Sequence, residues 1–160
     1  MDLALSLGLR HLEERTGGPF AALVYEEQKG RIVSLGVNLV VALNNSCLHA
    51  ETTALMFAQL EEDTFSLGGG YYSLIVTAQP CAMCFGAIPW SGIKKLVYGS
   101  PKEDIELIAG FNEGDVPERW EDKLEKRGIS VYGPLYSEKT RILLETYRAQ
   151  VEENKGTVVY

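Results

Sequence analysis

Apolar and polar positions divide the chain into a series of short elements. Residues 2–16 carry Leu3, Leu5, Leu7, Leu9 and Leu12 among Arg10, Glu13, Glu14 and Arg15, and Gly17-Gly18-Pro19 closes the segment. This predicts an opening helix with Asp2 as its N-cap. Two apolar runs follow, 20–25 and 32–41, split by Glu26-Glu27-Gln28-Lys29-Gly30-Arg31. They predict a β-hairpin, and Asn44-Asn45-Ser46 predicts a turn. From His49 onward, Ala50, Ala54, Leu55, Met56, Ala58 and Leu60 suit a mostly buried helix.

Beyond a Gly-rich loop at 65–70, the continuous apolar run 71–77 predicts a strand buried on both faces. Pro80 fits the first turn of a helix, and the residue before Pro89 is pushed away from helical geometry. A helix is therefore expected from Pro80 to Ile88. A strand at 95–98, a short helix at 104–109, a polar loop at 111–119 and a helix at 120–127 follow. The last predicted elements are a strand at 129–132 and a helix at 138–152, where Ile142, Leu143, Tyr147 and Val151 keep helical spacing. Strands alternating with helices imply an α/β fold with a partly parallel sheet covered on both faces. Nothing reads as a repeat or a linker, so residues 1–160 are expected to form one domain. Right-handed crossovers would bring the helices that begin near His49 and Cys81 to the same side of the sheet.

Composition narrows the function. The 160 residues carry a formal charge of −7, with 46% hydrophobic and 23% charged positions. An acidic balance argues against backbone-driven nucleic-acid binding, which needs clustered Lys and Arg. Three cysteines, two of them in C-x-x-C, do not form a secreted disulfide framework. Met1-Asp2-Leu3-Ala4 has no basic signal region, and no apolar run approaches the ~20 residues of a membrane span. The expected location is a reducing cytoplasm.

The chemistry sits in two half-motifs, His49-Ala50-Glu51 and Pro80-Cys81-Ala82-Met83-Cys84. One imidazole and two thiolates bind zinc well and leave a fourth position open. Cys81 and Cys84 are three apart, so on a helix both sulfurs share one face. At a helix N-terminus the dipole favours thiolates. Glu51 stands beside the metal without needing to bind it, as a general acid–base must. A structural Cys₂His site or a redox C-x-x-C is the competing reading, and each leaves Glu51 unexplained. Cys47 is expected to be a small buried side chain, His11 to face solvent or pack rather than ligate, and Trp90 to lie in the core or an interface.

The pattern H-x-E…P-C-x-x-C marks zinc-dependent base deaminases. With Gly17-Gly18-Pro19-Phe20-Ala21-Ala22 and Phe85-Gly86-Ala87-Ile88, it resembles the cytidine/deoxycytidylate deaminase superfamily over roughly residues 15–115. The resemblance implies a three-layer α-β-α cytidine deaminase-like fold around a five-stranded mixed sheet. It also implies one Zn²⁺ per subunit on His49, Cys81 and Cys84, with Glu51 as proton shuttle. Within the superfamily the chain looks most like bacterial guanine deaminases, including the branch that accepts triazines such as ammeline. Gly36-Val37-Asn38 and Gly110-Phe111-Asn112-Glu113-Gly114 carry that likeness, together with Thr157-Val158-Val159-Tyr160.

That closer likeness implies guanine as substrate, giving xanthine and ammonia. It makes Glu113 a second catalytic carboxylate that helps the amine leave, with Asn112 standing where the family often has Asp. It gives Asn38, Phe20, Ala50 and Tyr160 contacts to the base. It implies a homodimer in which the tail, about residues 153–160, is swapped over the partner's pocket. Deamination of tRNA adenosine or of cytosine and cytidine, and a zinc-stabilised binding protein without catalysis, are the alternatives.

Overall fold

The computed structural model describes residues 1–153; the tail 154–160, with Tyr160 and the expected swapped segment, lies outside the described residues. Its sheet has five strands in the order β2-β1-β3-β4-β5. Strand β1 (Ala21–Glu26) pairs antiparallel with β2 (Arg31–Val37) and with β3 (Tyr72–Ala78). Strand β4 (Lys95–Ser100) runs parallel to β3, and β5 (Ser130–Tyr132) runs parallel to β4. The sheet is therefore mixed. The hairpin supplies its antiparallel half, and the helical crossovers force the parallel half.

Two apolar clusters lie on opposite faces and make the three layers. One joins Ala22, Val24, Leu74, Val76 and Leu96 to Ala54, Leu55 and Ala58 of α3 (Ala50–Glu61) and Ile88 of α4 (Ala82–Ser91). Leu124 of α6 (Trp120–Glu125) and Ile129 complete it. The other sets Leu5 and Leu12 of α1 (Asp2–Glu13) against Leu143, Leu144 and Tyr147 of α7 (Ser137–Glu153), with Ile105, Ala109 and Phe111. Strand β3 is buried along nearly its whole length, as its continuous apolar character predicts for a strand covered on both faces.

Four local expectations change. The second strand stops at Val37 instead of running on to Val41, and α2 (Val40–Leu43) follows it, closed by Asn44 in the left-handed region. Asn38 turns the chain there: its Oδ1 accepts the Val40 N–H at 3.4 Å. Helix α4 starts at Ala82 with Cys81 as N-cap and runs through Pro89 to Ser91. The φ of proline suits a helix, so Pro89 removes one donor without stopping the chain. The stop comes at Gly92, whose φ of 82° forms the left-handed cap. The expected helix at 104–109 is one turn of α5 (Lys102–Asp104) running into a π-helical segment, Ile105–Ala109. Helix α1 does begin at Asp2, but Met1 is the N-cap and no side chain caps it.

Three side chains sit differently from, or more definitely than, the sequence suggests. Cys47 is exposed, on the surface loop that precedes α3. Trp90 is 80% exposed, which excludes the core. His11 is buried, and its Nδ1 pairs with Thr16 Oγ1 at 2.6 Å.

Candidate active site

Helices α3 and α4 deliver the two half-motifs by their N-termini. His49 is the N-cap of α3 and Cys81 the N-cap of α4, both in extended backbone. Glu51 is the second residue of α3, and Cys84 is the third of α4. Close contact of α3 with the sheet fixes the first half: a Cβ on Gly36 would stand 2.3 Å from the Ala50 carbonyl oxygen and 2.4 Å from the Ala54 nitrogen. Only glycine lets β2 and α3 approach so closely.

The donor atoms of His49, Cys81 and Cys84 all lie within 4.8 Å of one another, the only such set found among the described residues. His49 Nδ1 is 3.4 Å from Cys81 Sγ. A hydrogen bond from Cys84, aided by His49, pushes the Cys81 thiol down to about 4 against the effect of burial. The same bond and burial push Cys84 up. One thiol is thus poised as a thiolate beside a neighbour that keeps its proton, a pair that a bound metal ion would hold with both sulfurs deprotonated. Burial lowers the His49 imidazole, but the Cys81 thiolate, Glu51 and Glu113 outweigh it and leave the net shift upward. One imidazole and two thiols converging at this distance, with no fourth donor in the set among the described residues, fit a zinc ion that keeps one position open.

A small cavity, partly open to solvent, adjoins these donors. Phe20, His49, Glu51, Ala78, Gln79, Cys81, Phe111, Asn112 and Glu113 line it. Glu51 is buried, and burial, reinforced by the Cys81 charge, raises its carboxyl to about 7. Glu113 is buried as well and is raised to about 8, by burial first and then by the charges of Cys81 and Glu51. Phe20 meets Phe111 edge-on, with ring centroids 4.9 Å apart. Phe111 in turn stacks on Tyr147 at 5.2 Å.

The loop bearing Glu113 is tied to the metal-binding helix. The Ala82 N–H donates to the Glu113 carbonyl at 2.9 Å. Lys102 Nζ donates to the Gly114 carbonyl at 2.9 Å, and the Gly114 N–H donates to Asn112 Oδ1 at 2.9 Å. Asn112 therefore works as a turn residue, which Asp would also do.

Of the sequence-predicted site residues, His49, Glu51, Cys81, Cys84, Glu113 and Phe20 are brought together. Asn38 and Ala50 are fully buried, at the end of β2 and the start of α3, and are not among the described residues that line the cavity. Sequence reasoning missed Gln79. Its signal was its position: the polar residue between a buried strand and Pro80-Cys81.

The comparisons agree with this geometry. Residues 1–100 match the family model for the cytidine and deoxycytidylate deaminase zinc-binding region. The guanine deaminase of Bacillus subtilis (strain 168) is 30% identical over 129 residues, which is 81% of this chain and 80% of that one. The tRNA-specific adenosine deaminase of Buchnera aphidicola subsp. Schizaphis graminum is 38% identical over 106 residues, 66% of this chain and 67% of that one. The solved guanine deaminase from Nitrosomonas europaea superposes with a TM-score of 0.88 at 40% identity, covering 92% of this chain and 82% of that one. The three-layer fold is accordingly the cytidine deaminase-like fold, and the protein is a deaminase, a hydrolase acting on C–N bonds. From its zinc-site residues to its sheet order, the chain belongs to the cytidine and deoxycytidylate deaminase family.

Proposed function

We propose that the protein hydrolyses guanine to xanthine and ammonia, with zinc on His49, Cys81 and Cys84. The observation that carries this reading is the pair of buried carboxyls, Glu51 and Glu113, facing one cavity beside the metal donors. Similarity to the solved guanine deaminase supports the choice of base.

When bound, zinc lowers the pKa of a water molecule and so supplies a nucleophile at neutral pH. Glu51 takes a proton from the attacking water and passes it to the ring nitrogen next to the amine-bearing carbon. Burial keeps this carboxyl near the neutral range, where it can both accept and release a proton. Glu113 gives a proton to the departing amine, and its raised pKa keeps one available. Phe20 and Phe111 form the apolar walls on which a planar base packs. Asn38 and Ala50 shape the base site through the β2 end and the α3 start.

We assign one zinc per chain, a single domain and a homodimer working in the cytoplasm. Phe65 and Trp90 are 92% and 80% exposed, apolar surface that a second copy would cover. The test is ammonia release from guanine, ammeline, cytosine, adenine and their nucleosides by the zinc-loaded protein. Guanine should be the best substrate, and no turnover of any aminopurine or aminotriazine overturns the reading. Similarity to the tRNA-specific adenosine deaminase favours one second reading. The net charge of −7 opposes it, and a tRNA gel shift at moderate salt separates the two.

A further inference from the structure

Gln79 stands on the turn between β3 and α4 and lines the cavity next to Cys81 and Glu113. It is 9% exposed. Its Oε1 accepts the main-chain N–H of Lys102 at 3.1 Å, and the Gln79 main-chain N–H donates to the Ser100 carbonyl at 2.8 Å. A main-chain N–H needs an acceptor, so the oxygen of this carboxamide must face Lys102. The amide nitrogen is thereby turned the other way. Among the described residues Nε2 has no hydrogen-bond partner, yet it is not one of the fully enclosed polar atoms without partners. Gln79 lines the cavity, and its donor end is the part of the side chain left without a protein partner among the described residues.

The other polar walls are of the opposite kind. Glu51 and Glu113 are carboxyls that suit an amine and its neighbouring ring nitrogen. Asn112 also lines the cavity, but it is exposed to water and its Oδ1 is spent on the Gly114 N–H. Gln79 thus presents a buried amide donor of fixed orientation, and a donor left unpaired there costs binding. Its orientation is shared with the catalytic loop, because the same Lys102 whose N–H holds Gln79 also holds the Gly114 carbonyl through Nζ.

We propose that Gln79 is a specificity-determining residue of this pocket: its carboxamide NH₂ donates to the exocyclic oxygen of a 6-oxopurine and selects it over a 6-aminopurine. The inference deepens the guanine deaminase reading and rests on it. A hydrogen-bonding site rejects the analogue lacking its partner far more strongly than an apolar pocket rejects a change of size.

Gln79→Glu tests this cleanly. The substitution keeps an oxygen to accept the Lys102 N–H and puts a second carboxylate oxygen, with its charge, where the amide NH₂ stood. The readout is the ratio of kcat/KM for guanine to that for 2,6-diaminopurine, which differ at position 6 in offering an acceptor or a donor. The ratio should swing toward 2,6-diaminopurine by about tenfold or more. Gln79→Met, of similar size and without a donor, should lower the guanine value and leave 2,6-diaminopurine less affected. The same preference is measured as equilibrium binding of the two purines to the Glu51→Gln protein and to its Gln79→Glu double variant, where turnover is stopped. Equal loss for both purines, or an unchanged ratio in an active protein, makes Gln79 structural and overturns the inference while the guanine reading stands. Neither binding nor turnover of either purine by the parent protein defeats the guanine reading, and the inference with it.

Discussion

His49 Nδ1 and Cys81 Sγ meet at 3.4 Å, although 32 positions separate them in the chain. Each is the N-cap of its helix, so the two half-motifs join where two helix N-termini point at one place. Unsatisfied N–H groups and the helix dipoles there favour negative sulfur. Removing either sulfur breaks the donor set and leaves the other with an imidazole alone. Cys81→Ala and Cys84→Ala should each lose zinc affinity by more than about a hundredfold, the upper end of what loss of an outer-shell partner costs. Metal content after dialysis against a mild chelator measures it, and full zinc retention in either variant contradicts the assignment.

Glu51 lies beside the donors but is not one of them. Glu51→Gln preserves shape and removes the proton carrier. It should bind zinc like the parent and lose turnover by about 10²–10⁴-fold, the usual worth of a general acid–base. Loss of zinc in parallel with activity would instead make Glu51 a ligand or a support for one.

The sequence identifies the site by residue types that have few other uses in combination. His, Glu and two Cys at fixed spacing resist a purely structural account, whereas Gln79 is an ordinary amide whose role appears only when its oxygen is seen bound to Lys102. The sheet was legible because β3 is apolar throughout and the hairpin carries polar residues at its turn. The strand end at Val37 was not, because Val40, Val41 and Leu43 favour strand locally while Asn38 turns the chain and burial of Val40 holds α2. Pro89 misled for a related reason: its steric rule disfavours a helix before it, but Ile88 is fully buried and packing prevailed.

Gly36 links stability to the site. A methyl there would meet Ala50 and Ala54 backbone at 2.3 and 2.4 Å, and neither can retreat without moving α3. Gly36→Ala should cost about 1–3 kcal/mol, as overpacking does. For a chain of this size each kcal/mol lowers Tm by roughly 2–4 °C. Because α3 carries His49 and Glu51, zinc affinity should fall too. A calorimetric scan with and without zinc checks both, and a variant with unchanged Tm would mean the sheet and helix yield there.

Acid should weaken the fold through two carboxylates at the far end of the hairpin. Glu26 bonds Lys29 at 2.9 Å and Arg31 at 2.7 Å, and Arg31 also pairs with Glu62. Glu27 accepts from Lys95 at 2.7 Å and from Ser73 at 2.6 Å. The Lys29 bond, helped by Arg31 and opposed by burial, holds the Glu26 carboxyl below its ordinary value. Lys95 and then Ser73 do the same for Glu27. A carboxyl whose pKa is lower in the folded state than in the unfolded chain stabilises the fold above the unfolded value, about 4.3, and loses that contribution as pH falls through the folded value. Glu26→Gln should therefore be less stable than the parent at pH 7, and the gap should close as pH drops below about 4. Urea midpoints at pH 7, 5, 4 and 3 measure it. A gap that stays constant across that range would assign the loss to packing of the amide rather than to the charge on Glu26.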